Sequence, residues 1–248
     1  MMTSPWSCSR YSEMPIPWPR AFLFIFLLAI PALRAQTAPA EYSTFMSHGK
    51  LISCAVYQTP GATATILFLR GSSNADINLA RLEASFFAEH GYRVLLPDYL
   101  TTTSNAAATP ANYRRWAQVV EDIVADLRAH PLPQDKKLAL AGQSLGASVA
   151  LIAASRRLPV DAVAEWSGQL PNQFFSQVQS LPPLLIIHGE VDQQVPIVAA
   201  RQLTRLCQLR DFTCETQIYA GEDHLFSPQM TDTANRRALA FFQAYLNP

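Results

Sequence analysis

Charge is scarce in this 248-residue chain: 15% of residues are Asp, Glu, Lys or Arg, and nineteen basic side chains balance nineteen acidic ones. That balance excludes the basic surface of a nucleic-acid binder. A hydrophobic fraction of 49% excludes the apolar-poor, highly charged composition of a disordered chain. Nine glycines and eighteen prolines carry no three-residue period, so nothing collagen-like is present. The chain has no run of eighteen apolar residues of the kind that spans a bilayer. The phosphate-cradling patterns G-x-G-x-x-G and G-x-x-x-x-G-K-[ST] are also missing, which excludes the common nucleotide-binding domains.

What is present begins with an apolar stretch, residues 21–33 (AFLFIFLLAIPAL), too short to span a bilayer comfortably. Arg10 and Arg20 precede it, and Ala32-Leu33-Arg34-Ala35 closes on a small residue. This is the order of a secretory signal peptide, with Met14 as an alternative start. The expectation is a signal peptide over residues 1–35 and a mature, slightly acidic domain over 36–248, exported to a periplasmic or extracellular location. A buried first helix and a retained membrane anchor are the competing readings. The mature chain keeps Cys54, Cys207 and Cys214, whose spacing does not resemble a zinc site, and no metal is expected there. In an oxidising compartment Cys207 and Cys214 are placed to bridge a helix-to-strand turn, leaving Cys54 buried in a strand.

Beyond residue 40 there is no repeat and no low-complexity linker, so one domain is expected. Strand-length apolar runs fall at 51–57, 64–70, 93–98, 137–142, 162–166, 184–188 and 215–219. Helical segments lie between them near 78–90, 110–129, 145–157, 196–209 and 231–245. The second opens on Pro110, a favoured first-turn residue, and spaces Trp116, Val119, Val120, Ile123 and Leu127 along one face. Several strands (ILFL, VLLP, LALA, LLII) are apolar throughout instead of alternating, as strands buried on both faces are. The fold class is therefore α/β, a mostly parallel central sheet with helices on both faces. In such sheets ligands sit beyond the carboxyl ends of the strands, so chemistry is sought there.

After the strand at 137–142 comes Gly142-Gln143-Ser144-Leu145-Gly146, G-x-S-x-G between a strand and a helix. A serine on so sharp a turn needs small neighbours two positions away on each side, and the turn exposes its hydroxyl. Without chemistry the same residues make a tight strand–helix turn. A serine nucleophile needs a base, and the base needs an acid to orient it. Asp192 follows the strand at 184–188 and His224 follows the strand at 215–219, giving the chain order Ser, Asp, His. His90 and His130 sit near helix ends, where a cation suits the dipole, and His188 before Gly189 reads as shaping the acid's turn. Glu222 and Asp223 adjoin His224 and read as shaping its loop; Glu190 is the weaker candidate for the acid. Leu145 N–H, just after the serine, is the expected first oxyanion donor, and Ser72 N–H in Arg70-Gly71-Ser72-Ser73-Asn74 the second. An ordinary Gly-Ser turn is the alternative there. Tyr99, Gln143, Trp166 and Phe226, at strand ends, are candidate substrate contacts, with Phe174 and Phe175 nearby; packing in the core is the alternative for the aromatic ones.

LFLRGSS, VLLPDYL, LALAGQSLGAS, LLIIHGEVDQQVP and YAGEDHLF, in this order, resemble the dienelactone hydrolase-like branch of the α/β-hydrolases over most of residues 50–245. The resemblance implies the α/β-hydrolase fold with a small lid or none, and a cofactor-free esterase or lactonase acting on a small-molecule ester. Dienelactone hydrolases proper carry cysteine as nucleophile; Ser144 stands here, as in their serine-bearing relatives. Arg70-Gly71 replaces the His-Gly that many α/β-hydrolases have after the third strand. Arg70 at a pocket mouth would hold a substrate carboxylate, and a surface ion pair is the alternative. The resulting expectation is a Ser144–Asp192–His224 hydrolase of small carboxylic esters or lactones working through an acyl-enzyme. A small oligopeptidase-like peptidase and a non-catalytic binding domain on the same fold are the other readings. No nucleic acid, and no membrane once the signal is removed, is expected as a partner.

Overall fold

A computed structural model describes residues 39–132 and 136–246. The expected signal segment lies outside them. Eight strands form one sheet in the order β1-β2-β4-β3-β5-β6-β7-β8. These are β1 (Glu41–Ser47), β2 (Lys50–Tyr57), β3 (Ala64–Leu69), β4 (Tyr92–Pro97), β5 (Leu138–Gln143), β6 (Ala162–Trp166), β7 (Leu184–Gly189) and β8 (Cys214–Tyr219). β2 pairs antiparallel with β1 and β4, and every other pairing is parallel. The helices are α1 (Asn74–Glu89), α2 (Pro110–Ala129), α3 (Leu145–Ala154), the short α4 (Asn172–Phe175), α5 (Val198–Arg210) and α6 (Pro228–Leu246), with a 3-10 turn at Tyr99–Thr102.

All residues of β3, β4, β5, β6 and β7 are buried. The strand period of two survives in which core each side chain enters. Leu67, Leu69, Leu138, Leu140, Val163, Leu184 and Ile186 pack with α2, α3 and α5 on one face. Ile66, Phe68, Ala139, Ala141, Ala162, Ala164 and Ile187 pack with α1 and α6 on the other. Uniformly apolar strands are thus two interleaved amphipathic patterns, each with its own helical layer.

Three expectations are corrected. β1 was not anticipated, because Glu41–Ser47 reads as polar; it is an edge strand held by a two-residue turn, and only Phe45 and Ser47 are buried. His48 and Gly49 both have positive φ (49° and 70°), the geometry that matches a tight hairpin to the strands' twist. α1 starts four residues before the expected Asn78. Ser73 Oγ accepts from Asp76 N–H (3.1 Å) and Asp76 Oδ2 accepts from Ser73 N–H (2.8 Å), a reciprocal cap that S-x-x-D announces in sequence. α6 likewise begins at Pro228, before the expected Thr231, since proline suits a first helical turn.

Cys207 near the end of α5 and Cys214 at the start of β8 are joined by a disulfide, and Cys54 is free and buried in β2. Closing this short loop removes freedom from the unfolded chain worth about 2–3 kcal/mol. The Cys207→Ala/Cys214→Ala double variant is expected to lose about that much stability in urea titrations, and reductant is expected to lower the wild type but not the variant.

Candidate active site

Ser144 lies where β5 turns into α3, with φ 54° and ψ −119°, a strained backbone for a residue with a side chain. The turn survives because its surroundings leave it no room to relax. Ser144 N–H donates to Trp166 O (2.8 Å), carrying β5–β6 pairing one residue past the strand. A methyl on Gly142 would meet the backbone of Gly146 and Ala147, and one on Gly146 would overlap the carbonyls of Leu69 and Arg70. The end of β3 is therefore pressed directly onto the first turn of α3. That first turn leaves its N–H groups, Leu145 first among them, without carbonyl partners inside the helix, so they point toward the space beside Ser144.

His224 follows β8. Its Nε2 is 2.9 Å from Ser144 Oγ and its Nδ1 is 2.8 Å from Asp192 Oδ2. A carboxylate accepts only, so Nδ1 carries the proton and Nε2 presents a lone pair to the serine hydroxyl. Asp192 is 4% exposed and His224 5%, whereas Ser144 is half-buried and open to solvent. Asp192 Oδ1 accepts the N–H groups of Gln194 and Val195, both at 2.8 Å, which fixes the carboxylate in its turn.

Neighbouring side chains hold these three in place. His188 is fully buried; its Nε2 donates to Val195 O (2.8 Å) and lies 3.4 Å from Asp192 Oδ2. Burial pushes its pKa down, leaving the ring neutral at pH 7, and so it braces the acid turn without competing for the proton. Asp223 Oδ1 accepts from the N–H groups of Gln193 (2.8 Å) and His224 (2.7 Å), and those two bonds hold its carboxyl below the ordinary range. Glu222 clasps Ser227 through N–H and hydroxyl. Gly189 permits the contact between the two loops: a methyl there would collide with the carbonyls of Glu222 and Asp223. Ser167, which sequence reasoning missed, has φ 51° and donates from Oγ to His224 O (3.3 Å). No local pattern distinguishes it from any other serine after a strand. Glu190 is exposed and takes no part.

The remaining predicted residues divide. Gln143, Trp166 and Phe226 line a small cavity with His224. Ser72 lies in the loop between β3 and the capping box of α1, beside Arg70, whose carbonyl abuts Gly146. Arg70 takes the ion-pair alternative and Tyr99 the core one. The Arg70 guanidinium donates to Asp98 Oδ1 and Gly71 O, both at 3.0 Å, so its fork is occupied by the loop's own acceptors. Tyr99 is fully buried against Trp116 and donates to Arg70 O (2.8 Å). Both brace the loop after β3. Phe174 is core, edge-on to Tyr113, and Phe175 is partly buried against the same core, bordering a groove with α5.

Two buried carboxyls were also missed. Glu165 on β6 accepts Gly168 N–H (2.8 Å) through one oxygen, and burial foremost, then nearby Asp192, pushes its pKa up to about 8. Glu83 on α1 is raised to about 8 by burial, then by Asp76. Each is an acidic residue inside an otherwise apolar strand or helix face, a signal that was available but points to no chemistry alone. No cluster of His, Cys, Asp and Glu suited to a metal occurs among the described residues.

The sequence model of the dienelactone hydrolase family matches residues 47–246. No curated protein matches the sequence. Thermogutta terrifontis esterase 2 phosphorylated by paraoxon is similar at 16% identity, covering 85% of this chain and 96% of its own, with TM-score 0.70. An α/β serine hydrolase without a lid from Xanthomonas campestris is similar at 19% identity, covering 81% of this chain and 94% of its own, with TM-score 0.66. A homologue of such hydrolases from Coxiella burnetii gives 15%, 81%, 98% and 0.65. These likenesses show the fold, an α/β-hydrolase sheet.

A neutral Glu165 has a thermodynamic signature. The unfolded chain releases this proton near 4.5 and the folded chain near 8, so between those values the folded state holds the extra proton. Stability present at and below pH 4.5 is therefore lost progressively as pH rises to about 8 and is level beyond. Glu165→Gln, which keeps the acceptor for Gly168, is expected to show a shallower decline. Urea midpoints measured from pH 5 to pH 9 check it; parallel curves for wild type and variant would refute a neutral Glu165.

Proposed function

From the premise that the chain belongs to the dienelactone hydrolase family, we propose that it is a serine hydrolase cleaving small carboxylic esters or lactones. The observation that carries the reading is the unbroken hydrogen-bond chain from Asp192 through His224 to Ser144. His224 Nε2 takes the hydroxyl proton as Ser144 Oγ attacks the ester carbonyl carbon. Asp192 holds the imidazole and balances the charge of the cation that forms. The N–H groups of Leu145 and Ser72 receive the tetrahedral oxyanion. His224 returns its proton to the departing alkoxide, the C–O bond breaks, and an acyl-enzyme remains. Water then attacks with the same proton transfers, freeing the acid and Ser144. In a lactone the departing oxygen stays tethered to the product.

The strained Ser144 supports this assignment, because an ordinary turn gains nothing from holding a serine at φ 54°. Gln143, Trp166 and Phe226 are the proposed substrate contacts. Export is part of the proposal, supported by the signal-like sequence at 1–35 and by a disulfide suited to an oxidising compartment.

Ser144→Ala is expected to lower kcat on short-chain p-nitrophenyl esters by about 10⁴-fold or more, with the fold intact by circular dichroism. Paraoxon, which phosphorylates the Thermogutta esterase, is expected to modify Ser144 in the wild type and nothing in the variant. A wild type that resists labelling and hydrolyses no ester would leave the binding-domain reading; cleavage of peptide amides in preference to esters would favour the peptidase. Amino-terminal sequencing of the exported protein is expected to begin at Gln36.

A further inference from the structure

Behind the Ser144–His224 pair, between the sheet and helices α1 and α6, lies a small, partly open cavity whose polar lining atoms have no role in the proton transfers of the proposed mechanism. Its walls include Glu83, Gln143, Trp166, Ser167, His224 and Phe226. Its volume, about 10 Å³ as swept by the centre of a water molecule, suits one water-sized group. Three of the lining side chains bring polar atoms that find no partner among the described residues: Glu83 Oε2, Gln143 Oε1 and Trp166 Nε1. The three residues are 2%, 3% and 3% exposed. A buried polar atom left unpaired costs about 1–3 kcal/mol, so three around one small space call for a common partner.

The chemistry of the three atoms selects that partner. Indole Nε1–H only donates, and the amide oxygen of Gln143 only accepts. Glu83, kept protonated by burial, can accept through its carbonyl oxygen or donate through its hydroxyl. An anion would face the Gln143 oxygen, an acceptor with no proton to give, and an alkyl group would leave all three atoms unsatisfied. An ammonium has no lone pair for the indole N–H. A hydroxyl both accepts one hydrogen bond and donates another, and a water molecule donates two.

We propose that this cavity is a hydroxyl subsite of the active centre, where Trp166 donates to, and Gln143 or Glu83 accepts from, a single O–H group. Water supplies the group in the resting protein, and a hydroxyl carried by the substrate near its scissile ester displaces it during turnover. Gln143 precedes Ser144 and His224 is its hydrogen-bond partner, so a group seated here is adjacent to the reacting atoms. The second statement rests on the serine hydrolase reading; the first does not.

Two measurements test it. A high-resolution crystal structure of the wild type is expected to show one ordered water within hydrogen-bond distance of Trp166 Nε1 and of Gln143 Oε1 or Glu83 Oε2. Kinetically, the wild type is expected to favour p-nitrophenyl 3-hydroxybutyrate over the butyrate by about tenfold in kcat/KM. Trp166→Phe and, separately, Glu83→Leu are expected to bring that ratio close to one. An ordered water without any substrate preference upholds the hydroxyl chemistry and assigns it to water alone. An empty cavity overturns the proposal, and a preference unchanged in Trp166→Phe overturns the substrate hydroxyl. Failure of paraoxon to label Ser144 would instead refute the hydrolase reading, while the crystallographic result would still decide the water site.

Discussion

The contact between the end of β3 and the first turn of α3 is the constraint on which the rest of the structure depends. Leu69 and Arg70 present their carbonyls to a helix residue that has no side chain, so strand and helix touch backbone to backbone. That closeness forces β5 to turn within a single residue, and Ser144 takes the positive φ that the turn requires. It also brings the loop carrying Gly71 and Ser72 next to the N–H groups that open α3. A strained serine and a pair of candidate donors are thus consequences of one steric fact.

A second set of contacts keeps the acid and histidine loops together. β7 and β8 are parallel neighbours, so the turns after them leave the same edge of the sheet. Gly189 lets the histidine loop descend onto the acid loop, and Asp223 then bonds backbone in both. His188 and Ser167 complete the clamp from two different strands, one holding the acid turn and the other the His224 carbonyl. Their effect is to restrict motion at Asp192 and His224, and restricting motion beforehand is how a site avoids reorganising during a reaction.

The same edge contains carboxyls kept neutral by burial. The charge of Asp192 is felt at Glu165, and a second negative charge there would raise the energy of the ionised pair. Glu83 borders the cavity behind His224. Each leaves one buried oxygen without a partner, Glu165 Oε1 and Glu83 Oε2, so stability is set aside locally, as polar groups beside a reactive centre often require.

How far the chain announces itself differs by element. All-apolar strands separated by periodic helices, G-x-S-x-G in its strand–turn–helix setting, and Asp and His after the last two strands were legible, because each depends on residues adjacent in sequence. β1 was not: its polar pattern becomes a strand only when β2 offers a partner across the His48-Gly49 turn. For Arg70 and Tyr99 the sequence left two roles open each, since which acceptor a long side chain reaches is decided by Asp98 and the Arg70 carbonyl in space. Fold class, strand order of the motifs and the identity of the three polar residues were determined by sequence alone, through periodicity and turn chemistry. The distances among those residues, the brace of His188 and Ser167, and the cavity with its unpaired atoms were decided only in three dimensions. They arise between residues far apart along the chain, and hydrogen bonds and close packing act over a few ångströms.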